Sequence, residues 1–91
     1  MAYLDADKLT FPLSIRKWEP GDKFRPFGMT GMKKISDFLI DIKMPLPNKE
    51  HQMVLLSGND IIWVVGQRID DRYSVTDSTK KIYFVEQKQT N

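Results

Sequence analysis

The stretch that decides the fold runs from Gly28 to Pro45 and reads G-M-T-G-M-K-K-I-S-D-F-L-I-D-I-K-M-P. Its apolar residues recur at i, i+3, i+4 and i+7, so one face of a helix predicted over about 33–43 is apolar. Glycines precede this segment and a proline ends it, because proline disfavours helical geometry in the residue before it. No other segment of this length has a helical period. The apolar face is formed by Ile35, Phe38, Leu39 and Ile42.

Strand and turn patterns surround this helix. Two apolar runs, 53–57 and 61–66, are joined by Ser57-Gly58-Asn59-Asp60 and predict a hairpin buried on both faces. The proline–glycine pair at 20–21 predicts a type II turn, whose third position requires the positive φ that glycine tolerates. The chain is therefore predicted to form one strand-rich α+β domain over 1–91. Shorter strands are expected at 13–18, 73–76 and 80–86, with a polar loop at 48–52 and a polar tail at 87–91.

Composition excludes several kinds of site. The 91 residues include no cysteine and one histidine, His51, which excludes disulfides, thiolate zinc sites and multi-histidine metal sites. Asp5 and Asp7 flank Ala6, but two carboxylates on a loose segment are more typical of a turn or a helix cap than of a metal site. No apolar run approaches the roughly 20 residues that span a membrane, and the polar N-terminus does not fit a signal peptide. A cytoplasmic protein without membrane association is expected.

The net charge is only +2, but basic residues are concentrated around the central stretch. Positions 16–49 hold eight Lys or Arg and four Asp or Glu, for a local charge of +4. Positions 50–91 hold five basic and six acidic residues, for a local charge of −1. Such an asymmetry is typical of a protein that binds an anionic partner, although it also occurs on solvated faces without one.

Lys33 and Lys34 are the sharpest local signal in this basic region. They are predicted in the first helical turn, where positive charge opposes the helix dipole and lowers stability. A phosphate bound at the helix start would explain this conflict. The segment lacks the loop length and the hydroxyl residue of a Walker motif, since Ile35 follows Lys34, so nucleotide hydrolysis is not predicted.

Two further groups near the helix admit two interpretations each. Asp37 and Asp41 could perform acid–base chemistry, but their spacing on an exposed helix face favours ion pairs such as Lys33 with Asp37. Aromatic residues are interleaved with basic ones before the helix, as in proteins that stack rings on bases, although burial in the core is favoured for them. These aromatic residues are Trp18, Phe24 and Phe27.

A charged connection follows the hairpin. Arg68 and Arg72 flank Asp70 and Asp71, which predicts either an ion-paired loop or a fork of arginines held by carboxylates for phosphate binding. His51 is predicted to be an exposed loop residue, for which a phosphate or sugar contact is the alternative.

Four blocks of sequence carry a resemblance to a known family. They are I-R-K-W-E-P-G-D-K-F-R-P-F-G-M at 15–29, K-K-I-S-D-F-L-I-D-I-K-M-P at 33–45, L-L-S-G-N-D-I-I-W-V-V-G-Q-R-I-D at 55–70 and Y-S-V-T at 73–76. Their succession resembles the C-terminal domain of tRNA(Ile)-lysidine synthetase. The S-G-G-x-D-S loop of the family's catalytic domain is absent, since Ser57-Gly58 continues with Asn-Asp.

This resemblance implies a β-rich domain with a packed helix, similar to a domain of the phenylalanyl-tRNA synthetase β-subunit. The family enzyme adenylates the wobble cytidine of isoleucine tRNA with ATP and then attaches lysine to it. That chemistry belongs to an N-terminal catalytic domain, together with its ATP and magnesium. This chain is therefore expected to be a non-catalytic accessory domain without a cofactor or metal of its own. The resemblance further implies that the domain helps to grip tRNA, mainly toward the acceptor stem.

The charge pattern and the resemblance together predict an RNA-binding module that docks electrostatically on the tRNA backbone. The expected partners are tRNA, the enzyme's own catalytic domain and a second copy in a homodimer. One alternative is a structural, interdomain or dimerisation module without RNA contact, which an exposed apolar patch with scattered basic residues would favour. Another is a small enzyme built on Asp37 and Asp41. The predicted RNA-binding residues are Arg16, Lys17, Lys23, Arg25, Lys33, Lys34, Lys43 and Arg68.

Overall fold

A four-stranded antiparallel sheet forms the middle layer of the structure, a computed structural model that describes residues 1–88. The end of the predicted polar tail, 89–91, lies outside the described residues. The strands of the sheet are β2 (Leu13–Lys17), β5 (Met53–Ser57), β6 (Asp60–Val64) and β7 (Arg68–Ile69). Their order in the sheet is β2-β5-β6-β7, so β2 and β7 are the edge strands.

The predicted hairpin is confirmed as β5 and β6. Every residue of these strands except the first of each is buried, as expected for a sheet covered on both faces. The register shifts between Leu55 and Leu56, which leaves Ile62 without a partner on β5. Ile62 and Trp63 consequently contribute to the same core layer, as consecutive residues at a β-bulge can.

One face of the sheet is covered by α1 (Ile35–Asp41) and by a two-stranded ribbon of β3 (Lys23–Phe24) and β4 (Lys33–Lys34). The predicted apolar helix face is confirmed. Ile35, Phe38 and Leu39 are buried, and Ile42 packs against them half-buried. The sheet contributes Val54, Leu56, Ile61 and Val64 to this core.

The opposite face is covered by β1 (Ala2–Asp5) paired with β8 (Ile82–Val85). Leu4 is completely buried in a second core with Ile62 and Trp63. The sequence predicted the final strand, β8, but not β1. The four residues of β1 include only two buried apolar side chains, so they show little periodicity. Asp5 caps a short 3-10 turn, Ala6–Lys8, by accepting from the Asp7 N–H, which confirms the cap interpretation.

Several predicted boundaries are wrong. The helix expected over 33–43 spans only Ile35–Asp41, because Lys33 and Lys34 pair with β3 instead. The loop expected at 48–52 is largely a second helix, α2 (Leu46–His51). Proline did not prevent this helix, since the first turn tolerates a residue without an N–H.

The strand expected at 73–76 is also wrong. Its start belongs to a 3-10 turn, Asp71–Tyr73, and Ser74 makes only a single bridge to Leu4. The type II turn is confirmed, because Gly21 has φ 94° and the Asp22 N–H donates to the Glu19 carbonyl at 3.0 Å.

Candidate functional site

The register of the sheet assigns the predicted cationic residues to two sides. Arg16 pairs with Val54, whose side chain lies in the α1 core, so Arg16 is directed to the α1 side. Lys17 pairs with Met53, which packs in the opposite core, and is therefore directed to the other side. Strand alternation thus separates Lys17 from the remaining predicted residues.

The β3–β4 ribbon places two lysines side by side on the α1 side. Lys23 and Lys34 are direct partners across the antiparallel pair, and both are exposed. Side chains in this relationship share a face with Cβ atoms about 5 Å apart, and like charges there are destabilising. Neither lysine forms an ion pair with another residue of 1–88. The fold therefore concentrates unneutralised positive charge on the outer face of this ribbon.

Three other predicted cations are already paired with acids. Arg16 donates to both carboxylate oxygens of Asp22, at 2.8 and 3.0 Å. This hydrogen bond holds the pKa of Asp22 below its usual value, although partial burial opposes the shift. The other two pairs are Arg25 with Asp71, at 3.3 Å, and Lys33 with Asp41.

Arg68 and Lys43 complete the α1 side. Arg68 lies on β7 opposite Val64, and its guanidinium carbon is 5.4 Å from the centre of the Phe38 ring on α1. Lys43 follows α1, is exposed and has φ 57°. Arg16 and Arg68 thus stand on opposite edges of the sheet, with α1 and the lysine ribbon packed between those edges.

The interpretation of Lys33 and Lys34 as first-turn residues is wrong. Lys34 is the N-cap residue with extended backbone, and Lys33 precedes it in β4. Pairing of β4 with β3 holds both residues out of the seven-residue helix. The destabilising contact is therefore lysine against lysine across the ribbon, rather than lysine against the helix dipole.

Asp37 and Asp41 do not form a buried acid–base pair. Both are exposed on α1, and Asp41 pairs with Lys33, whereas the sequence predicted Lys33 with Asp37. Residues 1–88 contain no group of three or more potential metal-ligating side chains. The geometry gives no support to a small enzyme built on these carboxylates.

The charged connection after the hairpin is the ion-paired loop. Asp70 is completely buried and accepts from the Arg25 N–H at 2.8 Å and the Arg72 N–H at 2.8 Å. It also accepts from the Arg72 guanidinium at 2.9 and 3.0 Å. Because Arg72 is occupied inside the fold, these arginines do not form an open phosphate-binding fork.

The three interleaved aromatic residues differ in burial. Phe24 is a core residue that packs edge-on against Phe38 with ring centroids 5.1 Å apart. Trp18 is half-buried and donates from Nε1 to the Lys49 carbonyl at 2.6 Å. Core burial was wrong for Phe27, which is 53% exposed. Its exposure follows from the position of the chain beside β7, which no local pattern shows.

A groove beside Phe27 was missed by the sequence analysis. Its volume is about 360 Å³, and its lining includes Tyr3, Trp63 and Arg68. These residues come from distant parts of the chain, so their spacing gave no signal. Only the aromatic residues on either side of the single arginine at 24–27 pointed to this region. Separately, none of the helices in the described part of the chain is long and apolar enough to cross a membrane.

Together these features define a small, strand-rich α+β domain with two helices and a cationic face suited to an anionic partner. The chain belongs to the family of TilS substrate C-terminal domains, whose model matches residues 13–86. The resemblance seen in the sequence is thereby confirmed.

Two curated relatives illustrate this family membership. The tRNA(Ile)-lysidine synthase of Parabacteroides distasonis is 51% identical over 85 residues, which are 93% of this chain and 19% of that protein. The enzyme of the same name from Bacteroides thetaiotaomicron is 49% identical over 81 residues, covering 89% of this chain and 19% of that protein. The chain thus spans about a fifth of the length of the curated relatives it matches.

A solved structure shares the fold. The crystal structure of a TilS C-terminal domain aligns with a TM-score of 0.75 over 89% of this chain and 62% of that chain. Sequence identity in this comparison is 22%, so the likeness concerns the fold alone.

Proposed function

We propose that this chain is the tRNA-gripping accessory domain of an enzyme that attaches lysine to the wobble cytidine of isoleucine tRNA. The observation that carries the proposal is the cross-strand pair of Lys23 and Lys34. An exposed like-charged pair costs stability in the free domain and is neutralised by a phosphate lying between the two ammonium groups. Family membership supports tRNA as the phosphate-bearing partner.

The proposed contact is with the RNA backbone. The lysine pair, Lys43 and Arg68 project from the same side of the sheet, and ion-paired Arg16 stands at its edge. Duplex RNA is bound mostly through phosphates and 2′-hydroxyls, so this face would not read bases. The acceptor stem is the proposed duplex. ATP and magnesium would act in the catalytic part of such a cytoplasmic enzyme, outside this chain.

A titration of the 91-residue chain with tRNA at low and moderate salt tests this proposal. The double variant Lys23→Glu with Lys34→Glu is expected to weaken binding and to reduce the slope of log K against log salt by about two. Lys80→Glu with Lys81→Glu is the matched control, because both are exposed lysines near the opposite layer. Equal losses in the two variants would refute a specific role for the ribbon.

A second role, docking of other parts of a longer enzyme or of a second copy, is favoured by one observation. The outer face of β1–β8 exposes Tyr3, Ile82 and Phe84, with the Tyr3 and Phe84 rings 5.1 Å apart. Such exposed apolar faces occur at protein interfaces. Sedimentation of the chain over a range of concentrations, compared with Ile82→Ser and Phe84→Ser, tests self-association through this face.

A further inference from the structure

The groove beside β7 is built from separate parts of the chain. The Phe27 N–H donates to the Ile69 carbonyl at 3.0 Å, and Pro26 forms a bridge with Asp70, so residues 26–27 run along the free edge of β7. β1 covers the same end of the sheet from the opposite core, and Tyr3 reaches the groove from it. A volume of about 360 Å³ lies within the usual range of small-molecule sites, about 300–1,000 Å³.

Three aromatic residues line this groove, namely Tyr3, Phe27 and Trp63. Phe27 is 53% exposed beside the groove, and Tyr3, which is 51% exposed, lines the groove while its ring packs against Phe84. Trp63 lines the groove and is only 3% exposed. Flat heterocycles stack on exposed rings of this kind.

The floor also offers one hydrogen-bond donor. Within residues 1–88 the Trp63 indole N–H has no hydrogen-bond acceptor. Every fully buried side-chain nitrogen in that part of the chain does have a hydrogen-bond partner, so the indole nitrogen is not fully buried. The indole nitrogen therefore retains a small exposed surface, and Trp63 lines the groove. A ligand that offers a ring nitrogen or a carbonyl oxygen at its edge would satisfy this donor, and nucleobases carry both.

Arg68 places positive charge on the α1 side of the same edge strand. It lines the groove, forms no ion pair with any residue of 1–88, and rests on the Phe38 ring of the α1 layer. Arg68 therefore joins the cationic face to the groove around the edge of β7. A backbone phosphate on Arg68 would place its attached base within reach of the aromatic walls.

From these contacts we propose that the groove binds a single unstacked nucleobase of RNA, with the adjoining phosphate on Arg68. The inference rests on the proposed RNA-binding function and adds a requirement for an unpaired nucleotide next to the duplex. The base would stack against Phe27 or Tyr3 and accept from the Trp63 indole N–H. An apolar polypeptide segment could use the rings and offer a carbonyl to the indole, but it carries no anion for the guanidinium.

The indole N–H resonances of the chain test this inference directly. The two tryptophans give two indole signals, and Trp18, already bonded to Lys49, serves as the internal control. Titration with a short unpaired oligoadenylate should shift the Trp63 indole signal to saturation and leave the Trp18 signal in place. A blunt-ended RNA duplex should shift the amide signals of Lys23 and Lys34 without shifting that of the Trp63 indole.

Variants separate stacking from folding. Phe27→Leu keeps an apolar side chain on an exposed position but removes the ring, and it should weaken oligoadenylate binding about five- to a hundredfold. Phe11→Leu is the matched control, because Phe11 is equally exposed but does not line the groove, and it should bind as the parent chain does.

The titrations decide whether the groove is a nucleobase site. If the duplex binds and the oligoadenylate leaves Trp63 unchanged, the groove is not a base site, while the proposed function stands. If neither RNA binds, both proposals fail. A third titration uses the Parabacteroides distasonis enzyme from which the region matching this chain has been removed. If that protein shifts the Trp63 signal and the oligoadenylate does not, the groove is a polypeptide interface and the inference is overturned.

Discussion

The carboxylate of Asp70 and the guanidinium of Arg72 are paired at 2.9 Å although Asp70 has no exposed surface. Asp70 also accepts the backbone N–H of Arg25, which precedes the segment along β7. One buried charge therefore joins the end of β3, the end of β7 and the 3-10 turn that follows it. This pair explains why an arginine-rich connection in the sequence is structural rather than a site for phosphate.

Asp70→Ala is expected to lower the free energy of unfolding by about 3–5 kcal/mol, because it leaves the Arg72 charge and the Arg25 N–H without their buried partner. Urea unfolding followed by circular dichroism measures the change. Asp77→Ala, at an exposed position, is the control and should stay within about 0.5 kcal/mol of the parent. A loss below about 1 kcal/mol for Asp70→Ala would show that the pair contributes little.

Lys34→Glu is expected to change stability and RNA affinity in opposite directions. It replaces a like-charged cross-strand pair with an attractive one, which should stabilise the domain by about 0.2–1 kcal/mol. It also removes a proposed phosphate contact, so tRNA binding should weaken. Thermal unfolding and a tRNA titration on the same sample measure both. A loss of affinity that accompanies a loss of stability would instead indicate damage to the fold.

Tyr73 makes stability depend on alkaline pH. Burial, followed by the hydrogen bond its hydroxyl donates to Asp60 at 2.6 Å, raises the pKa of Tyr73 from 10.0 to about 12. Because the folded-state pKa is the higher one, the stabilisation is complete below pH 10 and is lost as the pH rises toward 12. Tyr73→Phe should flatten this part of the stability profile, measured by urea unfolding at several pH values. Tyr3→Phe, an exposed tyrosine, should leave the alkaline slope unchanged.

Asp22 makes stability depend on acidic pH. Its pKa lies below the usual 3.8, chiefly because of the hydrogen bond from Arg16. The stabilisation is therefore present above about pH 4 and is lost as the pH falls through the lowered folded-state pKa. Asp22→Asn should cost about 1 kcal/mol at neutral pH, since the pair is partly exposed, and should reduce the acid dependence. Glu19→Gln, which changes a more exposed and distant partner of Arg16, should have little effect.

The sequence predicted the parts of the fold that depend on local pattern. The apolar face of α1, the β5–β6 hairpin and the turn at Gly21 each follow from periodicity or from the φ of one residue. The placement of Lys33 and Lys34 could not be predicted in this way, because it depends on pairing between two-residue strands. The sequence correctly indicated a basic region, but only the strand register showed that Lys17 is directed away from it.

The groove could not be predicted from local sequence patterns either, because it also depends on contacts between distant segments. Phe27 looked like a core aromatic, and its exposure depends on hydrogen bonds to β7, more than forty positions along the chain. Trp63 looked like a buried strand residue, which it is. Whether its indole N–H has an acceptor depends on which other segments pack near it, and residue spacing along the chain does not predict those contacts.

The pairing of β1 with β8 has a consequence for the order in which the chain folds. These strands join residues 2–5 to residues 82–85, so their contact closes a loop of nearly the whole described chain. Loop closure of this length is entropically costly and is repaid only after the intervening sheet provides a surface to pack on. The layer that carries Tyr3 is therefore expected to assemble last and to open first. Amide exchange should be faster in β1 than in β5 or β6.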